Sequence, residues 1–410
     1  MNKTEVTNIR LLRSKNFLFF IMGRFCNVIG VQILTVAIGW HVYQLTHDPL
    51  DLGYIGLAQF LPALGFFLVA GYVSDKYDRR MILVLCNLGH LIVVGVLTFV
   101  LWNQYGGVPV ILSILIFHGT ARAFFHTASQ AILPNIVSSE IFPKAVAYSS
   151  SANKAAQLIG PALGGALIAW AGDWTYYVTL LMFGIAGLSA GLMSVRLRVE
   201  SVHKLTMKTL LGGFSYILDN KVVLGAISID LMAVLLGGVM GLLPIYASDI
   251  LNVGPDGLGL MRAMPGVGAL VMGLCLTQVN GLRFVGPCLF MSLAIFGLSI
   301  VVFSLSEIFL LSLVALVVYG ASDMVSVYIR LTLVQLATPD HMRGRVSAVN
   351  SVSINASNEL GDFRAGLGAA VLGTVPAVLL GGIATLGVTA LWMRCFPAMR
   401  RIERFEEISK

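Results

Sequence analysis

Apolar residues in this chain run in long blocks with few charges between them, not in the short alternations of half-buried strands. Crossing a hydrocarbon layer takes about 20 mostly apolar residues per helix. Blocks of that size place spans at 16–44, 52–70, 81–102, 109–133, 146–171, 175–195, 222–247, 257–276, 287–305, 308–334, 346–371 and 375–395. The pattern therefore predicts an all-α membrane protein of twelve spans. The longest polar interruption divides them into two six-helix bundles, 1–195 and 222–395. Between them lies a linker, 196–221, and a basic tail, 396–410, follows the second. Within the linker, Leu210, Leu211, Phe214, Ile217 and Leu218 recur at helical spacing, which predicts a short amphipathic helix over Met207–Asp219 lying on the membrane surface.

Composition sharpens this picture. The 410 residues are 57% hydrophobic and 11% charged, against about 25% charged in soluble domains. Mean hydropathy is +0.86, so no sizeable soluble domain remains. Net charge is +7, but its placement argues against a nucleic-acid partner. Of the 27 Lys and Arg, 21 fall in the two terminal segments and in alternate loops: Lys76, Arg79 and Arg80; Lys144; Arg196 to Lys221; Arg283; Arg343 and Arg345. The other loops carry Asp48, Asp51, Asp173, Asp249, Asp256 and Glu307 and no Lys or Arg. Positive loops remain cytoplasmic, which puts both termini inside and requires an even number of spans. Trp40, Trp102, Trp170 and Trp174 fall near the predicted outer ends, where indole favours the interface. Cys26, Cys86, Cys275, Cys288 and Cys395 are scattered singly, so neither a disulfide nor a metal site is expected. The first apolar block has no small-residue cleavage site and reads as a retained helix.

The halves repeat each other. A shift of 201 residues superposes Gly119 on Gly320, Ala147 on Ala348, Ser150 on Ser351, Ala155 on Ala356, Gly160 on Gly361, Gly165 on Gly366, Ala169 on Ala370 and Gly172 on Gly373. Like halves related about the membrane normal are a carrier design, with the substrate site near mid-membrane and alternating access by rocking.

Five segments carry a resemblance. Between the second and third spans stands Gly71-Tyr-Val-Ser-Asp75-Lys-Tyr-Asp-Arg79-Arg80. This resembles the gate loop of the major facilitator superfamily, where a glycine permits close approach and the charges lock the cytoplasmic side. Its second-half counterpart, Thr277 to Arg283, has no acidic residue. In the fifth span, Ala156-Gln-Leu-Ile-Gly160-Pro161-Ala-Leu-Gly164-Gly165 resembles the antiporter motif of drug/proton exporters in that superfamily, with alanine in place of its first glycine. Plain helix packing explains the same residues. Gly39-Trp40-His-Val-Tyr43, Leu243-Pro244-Ile-Tyr246 and Pro339-Asp-His-Met-Arg343-Gly344-Arg345 are similar to the enterobactin (siderophore) exporter and drug/proton antiporter branch. The resemblance covers nearly the whole chain.

Ionisable residues inside a membrane are costly and point to function. The resemblance makes spans one, four, seven and ten the cavity liners. Arg24, Arg122, His118, His126, Arg330 and Asn355 are accordingly substrate-cavity candidates, although snorkelling to the cytoplasmic interface also accounts for Arg24 and Arg330. Asp230, Asp323, Glu359 and Asp362 are proton-coupling candidates. A static pair between Arg122 and an aspartate explains the same charges without coupling. Lys154 is a candidate partner for Glu359 or Asp362 across the two halves, as a bridge that breaks in the cycle or as a fixed one. His90 stands alone and reads as a structural histidine.

No metalloprotease, serine-elbow or phosphate-loop pattern occurs, which argues against an enzyme or an ATP-driven pump. The resemblance implies export of a small amphipathic organic molecule, a siderophore or a drug, by proton antiport across a bacterial inner membrane. It implies no cofactor beyond the proton gradient. Expected partners are the substrate and the bilayer, with a monomer passing cargo to outer-membrane export machinery. Uptake on the same fold, or multidrug efflux without a siderophore, are the alternatives.

Overall fold

The computed structural model describes residues 14–103, 105–138, 140–194, 207–278 and 282–407. Lys3, Arg10, Arg13, Arg196, Arg198, Lys204, Lys410 and the loop residues 279–281 lie outside them, as do the side chains of Lys208, Leu210 and Leu211. The described residues contain helices and no strand. In the first half the helices are α1 (Lys15–Thr46), α2 (Pro49–Lys76), α3 (Arg79–Trp102), α4 (Gly107–Ile136), α5 (Phe142–Ala171) and α6 (Thr175–Leu192). Then follow α7 (Met207–Asp219), α8 (Lys221–Gly237), α9 (Leu243–Ile245), α10 (Gly254–Gln278), α11 (Val285–Leu305), α12 (Phe309–Leu336), α13 (Asp340–Leu372), α14 (Thr374–Cys395) and α15 (Pro397–Arg400).

Ten stretches among the described residues are long and apolar enough to cross a membrane. Twelve were expected, and the two sets differ at two places. Phe142–Leu192 is one apolar stretch of 51 residues that holds both α5 and α6. It is turned by a single 3-10 turn at Gly172–Trp174. α13 is long but carries Asn355, Asn358, Glu359, Asp362 and Arg364, and is too polar to be among the ten.

The chain divides into two compact units, Met1–Trp40 with Ala58–Leu205, and His41–Leu57 with Thr206–Lys410. In the first, α3 packs on α4 and α6. Phe17, Phe20, Leu83, Phe125, Ile132 and Ala190 form its main apolar cluster. Asp78 starts α3 by accepting the Arg80 amide on its carboxylate at 2.9 Å. In the second, α10 and α11 pack on α12, and α8 packs on α13 and α14. Val223, Ile229, Leu289, Phe290, Ile329 and Leu333 centre its core.

The end of α1 and the start of α2 belong to the second unit, which the predicted boundary at 195 does not anticipate. There the Tyr43 hydroxyl donates to Asp249, and the Gln44 amide donates to Ser248 Oγ at 3.1 Å. The linker helix α7 belongs to the second unit too. It buries Ile217 in that core, and its Tyr216 hydroxyl donates to the Ala337 carbonyl at 2.6 Å.

One expected element is corrected. The seventh span was expected to be continuous over 222–247, but α8 stops at Gly237. Gly238 and Val239 leave the helix, and the chain resumes as a 3-10 turn at Met240–Leu242, then α9 and a π-turn at Tyr246–Ile250. Two adjacent glycines and a β-branched residue weaken the helix at that point.

Candidate functional site

The first unit contains a polar cavity of about 150 Å³ between α1, α4 and α5. Arg24, Asn27 and Gln32 enter from α1, Arg122 and His126 from α4, and Asn153 and Gln157 from α5. Arg122 and His126 are four residues apart, so helical periodicity puts them on one face. Arg24 is fixed by donating to Ser149 Oγ at 2.9 Å. It lines this cavity and need not snorkel to an interface. Glycines on α5 let the helix approach α1 beside the cavity. A Cβ on Gly160 would lie 2.6 Å from Gln32 Cβ, and one on Gly164 3.1 Å from Ile33 Cα. Gly165 is also buried, and Pro161 lies within the helix. The antiporter-like motif thus sets the spacing of two cavity walls. Lys154 is exposed on the same helix.

His118 does not join this cavity, contrary to expectation. It is buried, and its Nδ1 lies 3.1 Å from Nδ1 of His90. The His90 ring stacks on Phe183 with centroids 4.7 Å apart. His90 is therefore not alone. One ring nitrogen of the pair must carry the shared proton for this contact to be favourable.

In the second unit, Arg330 and Asp230 form an ion pair at 2.7 Å. Both are almost fully buried, at 3% and 5% exposure. Arg330 also donates to Ser326 Oγ at 3.0 Å. Its Nε and one Nη are thus engaged inside α8 and α12, so burial and pairing account for it without snorkelling to an interface. Asp323 is half-buried on α12. Asp362 accepts the Gly241 amide at 3.0 Å, and Arg364 donates to the Leu235 carbonyl at 2.9 Å. Glu359 faces Gly56, where a Cβ would lie 3.2 Å from its carboxylate oxygen. Asn355 is exposed and donates to Ser351 O of its own helix at 3.0 Å.

In the gate motif, Arg79 is the hub. It lies 3.9 Å from Asp75 and donates to Ser74 O at 3.1 Å and Asn135 Oδ1 at 2.6 Å. Arg80 donates to Gly191 O. These bonds tie the loop to α4 and α6. Gly71 was expected to permit close helix approach, but a Cβ there would meet nothing within 4 Å.

Long apolar helices in two units, with charged residues turned into their interiors, define a multi-pass membrane transporter. Residues 20–361 match the family model of the Major Facilitator Superfamily, and the chain belongs to that superfamily. It is similar to the Enterobactin exporter EntS of Citrobacter koseri, 27% identical over 404 residues covering 92% of this chain and 90% of that protein. The Enterobactin exporter EntS of Escherichia coli O1:K1 / APEC gives the same 27% identity and coverage of 92% and 90%. The fold is shared with a bacterial homolog of the lysosomal transporter Spinster, at TM-score 0.72 and 12% identity over 95% of this chain and 96% of that one. It is also shared with the nucleoside transporter NupG, at TM-score 0.70 and 13% identity over 94% and 99%.

Proposed function

We propose that this chain is a secondary active exporter of an anionic, oxygen-rich organic molecule of the siderophore class. It would cross a bacterial inner membrane twelve times, with both termini in the cytoplasm, and exchange cargo for protons. The observation that carries the reading is the first-unit cavity, which Arg24, Arg122 and His126 line together with the neutral amides of Asn27, Gln32, Asn153 and Gln157. Guanidinium forks suit catecholate or carboxylate oxygens, and flanking amides accept and donate to the rest of such a molecule. The relatives named for enterobactin export support the same direction and cargo class. The lopsided loop charges support the orientation.

The test is efflux from inside-loaded proteoliposomes of known orientation, with and without a proton gradient, over catecholate siderophores and lipophilic cations. Gradient-stimulated efflux of the anionic class is expected. Arg122→Gln should raise its KM by about tenfold to a hundredfold, the range of one hydrogen bond to a charged group, with little effect on any cation. Preference for cations would overturn the cargo assignment. Gradient-driven accumulation in the loaded direction would overturn export.

A further inference from the structure

The break in the seventh span is held by charged side chains of α13 and α10. A helix that stops leaves carbonyls at its last turn without intrahelical partners, and the turn that follows leaves amides in the same position. Arg364 brings a cation to the first, donating from Nε to Leu235 O at 2.9 Å. Asp362 brings an anion to the second, accepting the Gly241 amide at 3.0 Å. Arg262 of α10 donates to Met240 O at 3.3 Å, inside the resumed turn.

Glycines make this reach possible. A Cβ on Gly238 would lie 2.7 Å from the Gly361 carbonyl carbon, and one on Gly361 2.8 Å from Val234 O. The two backbones cross at these residues, which places Asp362 and Arg364, immediately beyond Gly361, against the break.

The charges around Asp362 are nearly balanced. Arg262 and Arg364 both interact with it electrostatically, and Glu359 acts on Arg262. Tyr319 of α12 interacts with Asp362, and with Asp323 and Asp230. Arg262 Nε and Arg364 Nη2 are buried without a hydrogen-bond partner among the described residues. The two guanidiniums therefore depend on the carboxylate charge for compensation. A proton on Asp362 weakens its bond to the Gly241 amide and leaves two half-buried cations opposed by less negative charge.

We propose that Asp362 is the proton-binding site of the transport cycle, and that its protonation releases the splint across the broken seventh span. This rests on the proton-antiport reading and names the carboxylate that serves it. A deprotonated Asp362 holds the break, and a protonated one frees Gly237–Gly241 to re-form or re-aim. Asp230, by contrast, is held by a direct ion pair to Arg330.

Two measurements test this. The first is hydrogen-exchange protection at the Gly241 amide of the full chain in nanodiscs, corrected for intrinsic exchange, as a function of pH. Wild-type protection should fall by about tenfold to a hundredfold on acidification, the worth of one hydrogen bond to a charged group. In Asp362→Asn it should be low and flat. The second is transport: Asp362→Asn should lose gradient-driven efflux of a catecholate siderophore yet retain gradient-independent counterflow. Gradient-driven efflux by Asp362→Asn, or pH-independent protection in the wild type, overturns the proposal. If wild-type efflux ignores the gradient, the antiport reading fails, while the exchange measurement still decides whether Asp362 controls the break. Should Asp362→Asn fail to reach the membrane, Asp362→Glu keeps the carboxylate. It should preserve coupling with a displaced pH midpoint, and an unmoved midpoint counts against the site.

Discussion

Asp230→Asn should destabilise the second unit by about 3–5 kcal/mol, and adding Arg330→Met should recover most of that loss. The pair lies at 2.7 Å with side chains 7% and 4% exposed, so neither charge has water to fall back on. Removing one partner leaves an uncompensated charge between α8 and α12. Removing both leaves only a polar amide opposite a thioether of similar volume to the arginine stem. The measurement is a double-mutant cycle of thermal unfolding in detergent, followed by Trp392, whose indole donates to Ser228 Oγ at 3.0 Å on α8. A single variant that melts like wild type but loses gradient-driven efflux would return Asp230 to the coupling role that its position in the sequence suggests. The pair would then have to open during the cycle.

That contrast shows which parts of this molecule are legible in the chain and which are not. Apolar blocks locate helices well because backbone groups in lipid must bond within their own segment. The predicted 81–102 and α3 at Arg79–Trp102 differ by only two residues at one end. The break at Gly238 stays hidden because glycine is common in membrane helices, and only a partner such as Gly361 gives it meaning. Charged residues inside spans announce themselves by their cost, but their partners do not. Nothing in spacing links Asp230 to Arg330, or His118 to His90, since each pair joins helices whose rotation the sequence leaves open. The polar face of α13 was visible as residues 355, 359 and 362, yet Asn355 turns back to its own helix while Asp362 reaches the turn at Met240–Leu242. The 201-residue repeat does carry into three dimensions. Gly172 and Gly373 both adopt positive φ, at 53° and 89°, each ending a helix where a side chain would be strained.

Another repeated pair yields the second large effect: Gly119→Ala and Gly320→Ala should each cost about 3 kcal/mol or more, at or beyond the upper end for overpacking a well-filled site. A Cβ on Gly119 would sit 2.8 Å from Gln59 Cα, and one on Gly320 2.5 Å from Pro265 Cα. Both obstacles are backbone, so no rotamer change relieves them, and the helices must separate. In the second unit the crossing is reciprocal, because Gly268 of α10 faces the Val317 backbone of α12 just as Gly320 faces Pro265. Separation there would loosen the α10–α12 contact along its length. Arg262 on α10 would move with it and slacken its bond to Met240 O. Gly387→Ala is the control, since a Cβ there meets nothing within 4 Å. Relief of the glycine penalty in a helix interior should leave it neutral or more stable by up to about 1 kcal/mol. Thermal unfolding of the three variants in one detergent separates the cases. If Gly320→Ala melts with Gly387→Ala, the α10–α12 crossing yields more readily than its backbone contacts imply, and rigid packing at that crossing cannot be what holds the splint across the broken seventh span in register.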